Sequence, residues 1–378
     1  MPLKIRRIEA WACVLPLGHT LTIGPFQVRQ RSYLVVSVHT DGGLRADCVT
    51  QTRGSPLDVM IADVIGPRLI GRDALDLDSC RAHLRRELVA MEFDGAVGRA
   101  WSALEICMHD LQAQAAGVPL WCLLGGRRAY PAEAMVVEGY ALEEERDAQF
   151  VDRLLRRVGQ GFRRIKVEAG HYGNSEALPR RLEEFRRQAG NDCRLVLDFA
   201  WTWDRAQPHL DLARKVGSFR LDWLEDPLDR TLLHDYRLLR QQSGIAIGCG
   251  DEASRAADLE ALAAASAIDV LRIDATTIGG IEPLRRLSIS AIERGLRVSY
   301  HEHPEVHQHC VFGFGAADHV EMFPTDRPFD RVHALIVDSP FDRVHNGMLQ
   351  PPEHAGSGVR LRRDAVEQTA LRHHCIEG

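Results

Sequence analysis

The feature that most constrains the fold is an alternation of short apolar runs with amphipathic helical segments, which begins near residue 131. The apolar runs lie at residues 134–140, 163–168, 194–198, 222–225, 245–251, 269–274, 296–301 and 319–323. Strands that alternate with helices form parallel sheets. Eight such units over roughly 200 residues predict a closed (β/α) barrel rather than an open doubly wound sheet. No Gly-x-Gly-x-x-Gly motif follows the first run, which weakens a dinucleotide-binding alternative.

The first third of the chain lacks this alternation and predicts a separate α+β unit. Two strands are predicted at residues 3–17 and 32–40, and the second strand runs into an Asp41-Gly42-Gly43 turn. Apolar residues then recur at helical spacing from Leu57 to Ile65, and we expect Pro67 to end that helix. Two further helical patterns follow, around residues 75–90 and 96–116.

Composition excludes several classes of protein. The chain has 378 residues, 45% of them hydrophobic, and a net charge of −6, which is ordinary for a globular protein. Arginines alternate with acidic residues and form no basic stripe, so we do not expect a nucleic acid partner. The nine cysteines are scattered without Cys-x-x-Cys spacing, which favours a reducing cytoplasm. Charges interrupt the N-terminal segment, so we expect neither a signal peptide nor a membrane partner.

Ionisable residues stand at the ends of the predicted strands, and the active site of such a barrel lies at the C-terminal ends of its strands. These residues are Lys166, Glu168, Asp198, Glu225, Asp251, Asp274, His301 and Glu321. A single aspartate after a strand is usually a helix cap or a turn residue. That reading explains poorly why three consecutive strands end in Asp198, Glu225 and Asp251. Neighbouring strands lie about 4.8 Å apart, so these carboxylates would repel without a cation. Oxygen ligands suit Mg²⁺ or Mn²⁺ rather than zinc.

Several longer motifs resemble the enolase superfamily, in its mandelate racemase-like branch. The segment at 101–126 is similar to the family's long helix and its Leu-Leu-Gly-Gly entry into the barrel. Four further segments resemble the family's motifs on later barrel strands. They are Trp-Leu-Glu-Asp-Pro, Gly-Asp-Glu, and the stretches at 273–281 and 298–309. The resemblance implies a modified TIM barrel at residues 127–340 with an N-terminal α+β capping domain at 1–126. It also implies that a C-terminal segment, 341–378, returns towards the capping domain.

The resemblance assigns a role to each strand-end residue. Asp198, Glu225 and Asp251 correspond to the family's Mg²⁺ ligands. His301 corresponds to the catalytic histidine, and Asp274 to the aspartate that pairs with it. Lys166 and Glu321 match groups that contact the substrate's carboxylate.

The chemistry of these groups agrees with that assignment. A proton next to a carboxylate is very weakly acidic, and a divalent cation on the carboxylate oxygens stabilises the enediolate as its charge develops. A neutral imidazole can remove the proton. A carboxylate on the second imidazole nitrogen fixes the tautomer and raises the basicity of the ring.

The chain departs from the family pattern at two positions. Relatives often carry Lys-x-Lys on the second strand, with the second lysine as an opposing acid or base, whereas Glu168 stands there in this chain. Relatives commonly carry Asn near the metal where this chain has Ala200. Because racemisation needs a base on each face of the substrate, the first departure counts against two-base chemistry. Glu168 stays a catalytic candidate as a carboxylate base, and its alternative roles are to bind a sugar hydroxyl or to pair with Lys166 or Arg164. Dehydration can proceed with one histidine if the elimination is syn.

Further candidates for substrate contact lie around the predicted barrel mouth. Two segments of the capping domain, 18–30 and 50–55, are predicted loops over the mouth, and they offer His19 and Arg53. His303 follows His301 at a spacing that does not match the His-Glu-x-x-His zinc motif, and it is a candidate for contact with the substrate. His307 and His309 are expected on the next helix, with His309 as a packed structural residue.

We therefore expect a Mg²⁺-dependent acid-sugar dehydratase that converts an aldonate or aldarate into a 2-keto-3-deoxy acid. The first alternative is a racemase or epimerase of a 2-hydroxy or amino acid. The second is a barrel that binds a ligand but has lost catalysis. The expected partner is a small carboxylate substrate, and we expect a homo-oligomer.

Overall fold

The computed structural model describes residues 2–127, 130–140, 145–173, 175–327 and 329–378. The strands in chain order are β1 (Ile5–Ile23), β2 (Phe26–Thr40), β3 (Arg45–Gln51), β4 (Ala132–Glu138), β5 (Arg164–Glu168), β6 (Arg194–Asp198), β7 (Leu221–Glu225), β8 (Ile247–Cys249), β9 (Val270–Ile273), β10 (Arg297–Tyr300), β11 (His319–Met322), β12 (Val344–His345), β13 (Met348–Leu349) and β14 (Ala370–Glu377).

The helices follow in the same order. They are α1 (Leu57–Val59), α2 (Gly66–Leu69), α3 (Leu77–Glu87), α4 (Gly95–Ala116), α5 (Leu120–Leu123), α6 (Asp147–Gly159), α7 (Ala177–Ala189), α8 (Leu210–Gly217), α9 (Leu233–Gln242), α10 (Ala256–Ala264), α11 (Ile281–Glu293), α12 (Pro304–Phe314) and α13 (Arg363–Thr369). In the part of the chain that the structure describes, no helix is long and apolar enough to cross a membrane.

The N-terminal unit is an antiparallel sheet in the order β14-β1-β2-β3, with α4 packed against it. The last strand of the chain, β14, pairs along β1, so that the C-terminal segment completes the sheet that the N-terminus begins. The rings of Trp11 and His373 stack across this pair with centroids 4.6 Å apart. The domain boundaries at residues 126 and 340 stay predictions.

The second unit is a parallel sheet that runs in chain order from β4 to β10, and β11 pairs with β4 on the other side. The sheet therefore curves back on itself. Between β10 and β11 the Ser299 hydroxyl donates a hydrogen bond of 2.8 Å to His319 Nε2. Alternate residues point into the barrel, where Met135, Val196 and Trp223 belong to one apolar cluster. The eight predicted apolar runs are these eight strands.

Parts of the N-terminal unit differ from the sequence prediction. The predicted loop at 18–30 is a hairpin that extends β1 and β2 to a turn at Gly24 and Pro25, because alternating apolar residues continue the pairing. The helix that begins at Leu57 does not end at Pro67. It continues to Leu69 through a π-helical segment, Met60–Ile65, whose wider turn accommodates a proline without an N–H donor.

Candidate active site

The carboxylates of Asp198, Glu225 and Asp251 meet at one end of the barrel. Asp198 and Glu225 are the last residues of β6 and β7 and lie opposite each other in the strand register. Asp251 lies two residues beyond the end of β8. One oxygen from each residue lies within 4.8 Å of the others. Asp226 holds the Asp251 segment in place, because its carboxylate accepts hydrogen bonds from the Gly250 and Asp251 amides at 3.1 and 3.0 Å.

Two cations lie among these carboxylates. Lys166 Nζ is 2.8 Å from both Glu225 Oε1 and Glu321 Oε1. Arg272 Nε lies 2.8 Å from Asp251 Oδ1 and 3.1 Å from Glu225 Oε2, and its Nη2 contacts Glu321. With Asp198, the group holds four carboxylates and two cations, which leaves a formal charge of −2. A divalent cation matches this charge.

Arg272 was missed by the sequence analysis, because a charged residue inside an apolar run was read as part of the strand. A signal was present, since Arg272 stands two residues before Asp274 and therefore points into the barrel on the same side. Its side chain is fully buried. The pKa of this guanidinium is raised well above its ordinary value, since Asp251 and Glu225 outweigh the opposing effect of burial. Arg272 is therefore a permanent positive charge beside the carboxylates.

Burial and the crowding of like charges shift the pKa values of this group. Burial raises the pKa of Asp198 to about 6, with Lys166 opposing and Asp251 adding to the rise. Burial would lower the pKa of Lys166, but Glu225 and Glu321 outweigh it and raise the pKa well above its ordinary value. Lys166 is thus an ammonium ion. Three closely spaced carboxylate oxygen donors with excess negative charge are a ligand set that Mg²⁺ prefers.

His301 and Asp274 form a hydrogen-bonded pair next to the carboxylates. They are the first residues after β10 and β9, which are neighbouring strands. His301 Nδ1 lies 3.2 Å from Asp274 Oδ2, and His301 Nε2 points towards Asp251 Oδ2 at 3.4 Å. The Thr276 amide donates to Asp274 Oδ1 at 2.7 Å and fixes that carboxylate. One imidazole nitrogen is therefore held by an aspartate while the other faces the cluster.

The neighbouring histidines serve other contacts. His307 Nδ1 donates to the Glu302 carbonyl at 2.7 Å and its Nε2 accepts from the Ala275 amide at 3.0 Å, so the ring is neutral. His309 Nε2 bonds the Ser357 carbonyl at 3.0 Å, and burial lowers its pKa to about 4. His303 is buried at the start of α12, and its Nδ1 has no hydrogen-bond partner among the described residues. Its contact with substrate stays a prediction.

Glu168 lies at the end of β5 with a side chain that is 2% exposed. Its Oε1 accepts hydrogen bonds from the amides of Gly24 and Gly170 at 2.9 and 3.0 Å. Its Oε2 lies 2.8 Å from His171 Nδ1. Both carboxylate oxygens are therefore already bonded, and the predicted catalytic part of Glu168 stays a prediction.

Arg53 reaches the barrel from the capping domain, but carboxylates of the barrel hold it. Its Nε lies 2.6 Å from Glu252 Oε1 and its Nη2 lies 3.0 Å from Glu302 Oε2. Gln51 also donates to Glu302 Oε2 at 2.8 Å. Glu302 follows the predicted base, so this contact joins the two units beside His301. The sequence analysis missed Glu302 because nothing local indicates a partner some 250 residues earlier.

His19 contacts an aromatic ring of the barrel. It is half-buried on β1, and its ring meets the edge of Phe329 with centroids 6.5 Å apart. Its Nε2 has no hydrogen-bond partner among the described residues. Contact of His19 or Arg53 with a substrate stays a prediction.

Comparison with known proteins places this geometry in context. Residues 10–125 match the model of the mandelate racemase/muconate lactonizing enzyme N-terminal domain, and residues 149–365 match the enolase C-terminal domain-like model. L-talarate/galactarate dehydratase of Salmonella typhimurium is 28% identical over 69% of this chain, which spans 65% of the length of that enzyme. N-succinyl-L-Arg/Lys racemase of Bacillus cereus is 21% identical over 78% of each chain.

A solved structure resembles the whole chain. L-talarate dehydratase from Polaromonas sp. JS666, complexed with Mg and L-glucarate, has a TM-score of 0.88 and 22% identity, and the match covers 100% of both chains. The predicted fold class, a modified TIM barrel with an N-terminal capping domain, is confirmed.

Proposed function

Because the chain belongs to the mandelate racemase/muconate lactonizing enzyme family of the enolase superfamily, we propose that it is a Mg²⁺-dependent acid-sugar dehydratase. It removes the proton next to a substrate carboxylate and expels the β-hydroxyl group as water, which leaves a 2-keto-3-deoxy acid. The observation that carries the choice of reaction is the inequality of the two candidate bases. His301 is held by Asp274 with one nitrogen towards the cluster, whereas both oxygens of Glu168 are occupied.

Asp198, Glu225 and Asp251 are the residues that would hold Mg²⁺. Their donors are all oxygen, they lie close enough to share one ion, and the group that they form with Glu321, Lys166 and Arg272 has a formal charge of −2. When bound, the ion supplies positive charge where negative charge develops on the substrate's carboxylate.

The proton transfers belong to His301. Its Nε2 takes the α-proton, and the Asp274 carboxylate on Nδ1 keeps the required tautomer and stabilises the imidazolium that forms. In a syn elimination the same imidazolium then gives its proton to the leaving β-hydroxyl, which departs as water. The resulting enol takes up a proton at the β-carbon to give the keto acid. The Lys166 ammonium, which is close to Glu321, positions the substrate's carboxylate.

The test is a panel of hexonates, pentonates and aldarates incubated with the protein and Mg²⁺. At least one should give a 2-keto-3-deoxy acid, detected as its semicarbazone, and Asp198→Asn should give none. A panel without keto acid, together with a 2-hydroxy or amino acid that loses optical rotation and gains solvent deuterium at Cα, would replace this proposal with the racemase.

A further inference from the structure

The two positions at which the chain departs from its family lie at one place in the structure, below the tip of the β1–β2 hairpin. Gly24 forms that tip with a φ of +52°. Its amide donates to Glu168 Oε1 across the gap between the capping domain and the barrel. A Cβ on Gly24 would lie 2.9 Å from the Ala200 carbonyl and 3.2 Å from Ala200 Cβ.

We propose that Glu168 is a positioning residue that fastens the hairpin tip to the barrel mouth, in place of a second acid or base. This role rests on the proposed dehydratase activity. His301 remains the base, and Glu168 on the second barrel strand helps to close the site instead of transferring a proton. Glu168 and Ala200, the two residues that depart from the family pattern, act together on the same hairpin.

Glu168 takes its hydrogen-bond donors from both units. A buried carboxylate needs donors, and those of Glu168 are Gly24 from the capping domain and Gly170 and His171 from the barrel. If the hairpin tip lifts, one donor is lost from Oε1 while the carboxylate stays buried. Hydrogen bonds to charged groups are strong enough for this loss to disfavour opening by roughly 10- to 100-fold.

Close packing also holds the hairpin tip. Gly24 packs so closely that a Cβ would come within 2.8 Å of Thr202 Cγ2. A Cβ on Gly170 would likewise lie 2.9 Å from Gly24 Cα. The hairpin tip therefore fits between backbone segments that follow β5 and β6 and leaves no space for a longer side chain.

The backbone of Ala200 has a conformation that is unusual for alanine. Its φ of +47° is a conformation that asparagine adopts far more readily than alanine. A residue with an intrinsic disadvantage at this position needs a compensating contact, and the approach of Gly24 to the Ala200 backbone and Cβ is that contact. Glu168 and Ala200 thus supply the acceptor and the space for one docked glycine.

The hairpin is also held along its length. One buried apolar cluster joins the hairpin to the barrel, and Ile23 and Val28 pack against it. Its members are Leu17, Leu21, Val137, Tyr140 and Phe329. The apolar contact fixes the body of the hairpin and Glu168 fixes its tip. Loss of Glu168 should therefore free the tip without unfolding the capping sheet.

Hydrogen–deuterium exchange in the full chain tests the contact without any substrate. In Glu168→Ala, exchange at the Gly24 amide should be at least 10-fold faster than in the wild type, while exchange in β3 stays the same. Glu183→Ala, an exposed glutamate on α7, is the matched control and should change neither. Unchanged exchange at Gly24 in Glu168→Ala would overturn the proposal. If that variant does not fold, Glu168→Leu, which fills a similar volume but has no acceptor for the Gly24 amide, tests the same contact with the same expected and overturning results.

Kinetics separate positioning from acid–base catalysis. Glu168→Gln keeps an oxygen for the two amides, so the Gly24 amide should exchange as slowly as in the wild type and kcat should stay within roughly threefold. Glu168→Ala should act mainly by raising KM. Loss of a true acid or base costs about 10²- to 10⁴-fold in kcat. A loss of kcat of that size in Glu168→Gln, with slow hydrogen exchange at the Gly24 amide retained, would overturn the proposal. If no acid sugar is turned over by the wild type, the dehydratase proposal fails, and the exchange experiment still decides the role of Glu168.

Discussion

Mg²⁺ should stabilise the protein against heat, and Asp198→Asn should remove that effect. The substitution takes away one negative charge from the three-carboxylate group. It keeps the shape of the side chain and the oxygen that accepts from the Ala200 amide at 2.9 Å. The expected change is therefore in metal binding and not in the local fold.

The size of the effect follows from linkage. A ligand at 100 times its Kd adds about 2.7 kcal/mol to the free energy of unfolding. With an unfolding entropy of about 2.1 cal/mol/K per residue, a chain of 378 residues should gain about 3 °C in Tm. If loss of one charged ligand weakens binding about 100-fold, the same Mg²⁺ concentration adds only about 0.4 kcal/mol, and the Tm moves by less than about 1 °C.

The assay is thermal unfolding of EDTA-treated protein across a Mg²⁺ titration, with calorimetry for the Kd. Asp204→Asn is the matched control, because Asp204 is an exposed aspartate on the segment that follows β6. It should show the full shift. A full shift in Asp198→Asn, or a shift that disappears only when histidines are replaced, would refute the assignment of the carboxylates as metal ligands.

Three further changes test other parts of the site. Asp274→Asn should reduce α-proton exchange by about 10²-fold or more while the Mg²⁺-induced Tm shift remains, because His301 loses the carboxylate that fixes its tautomer and stabilises its positive charge. Unchanged exchange would contradict the pairing of His301 with Asp274. Arg272→Met should lower the unfolding free energy of metal-free protein by about 3–5 kcal/mol, measured by urea titration, since it leaves buried carboxylates without their cation; a change below 1 kcal/mol would contradict this. Burial raises the pKa of Glu305 from 4.5 to about 8. The unfolded carboxyl therefore ionises first, and the unfolding free energy should fall by up to roughly 1.4 kcal/mol per pH unit between those values. Glu305→Gln should lose that slope, and parallel pH profiles of the two proteins would contradict it.

The barrel was predictable because its signals are local. Each strand is a short apolar run between amphipathic segments, and most of the runs after the first are followed by, or end in, an ionisable residue that was predicted for the site. Parallel strands that end at the same edge bring their last residues together, so Asp198 and Glu225 could be placed side by side without a structure. Asp274 and His301 were assigned by motif and lie one residue beyond their strands.

The residues that sequence analysis missed depend on contacts between distant segments. Arg272 reads as an interruption of an apolar run, and only the surrounding carboxylates explain why it can be buried. Glu302 acquires its partners from Gln51 and Arg53 in the other unit. The bonding of Glu168 needs the amide of Gly24, which is 144 residues away. The strands β3 and β14 were missed as well, and β14 is stabilised by pairing with the opposite end of the chain.

The most direct test of the proposed chemistry is deuterium incorporation at Cα by His301→Asn. A substrate accepted by the wild-type protein would be incubated in D₂O with Mg²⁺, and its α-proton followed by NMR. The variant should retain the Mg²⁺-induced Tm shift, which shows an intact metal site, and should show no exchange of the α-proton. Exchange at the wild-type rate in His301→Asn would contradict the account and move the base to the second strand, at Lys166 or Glu168.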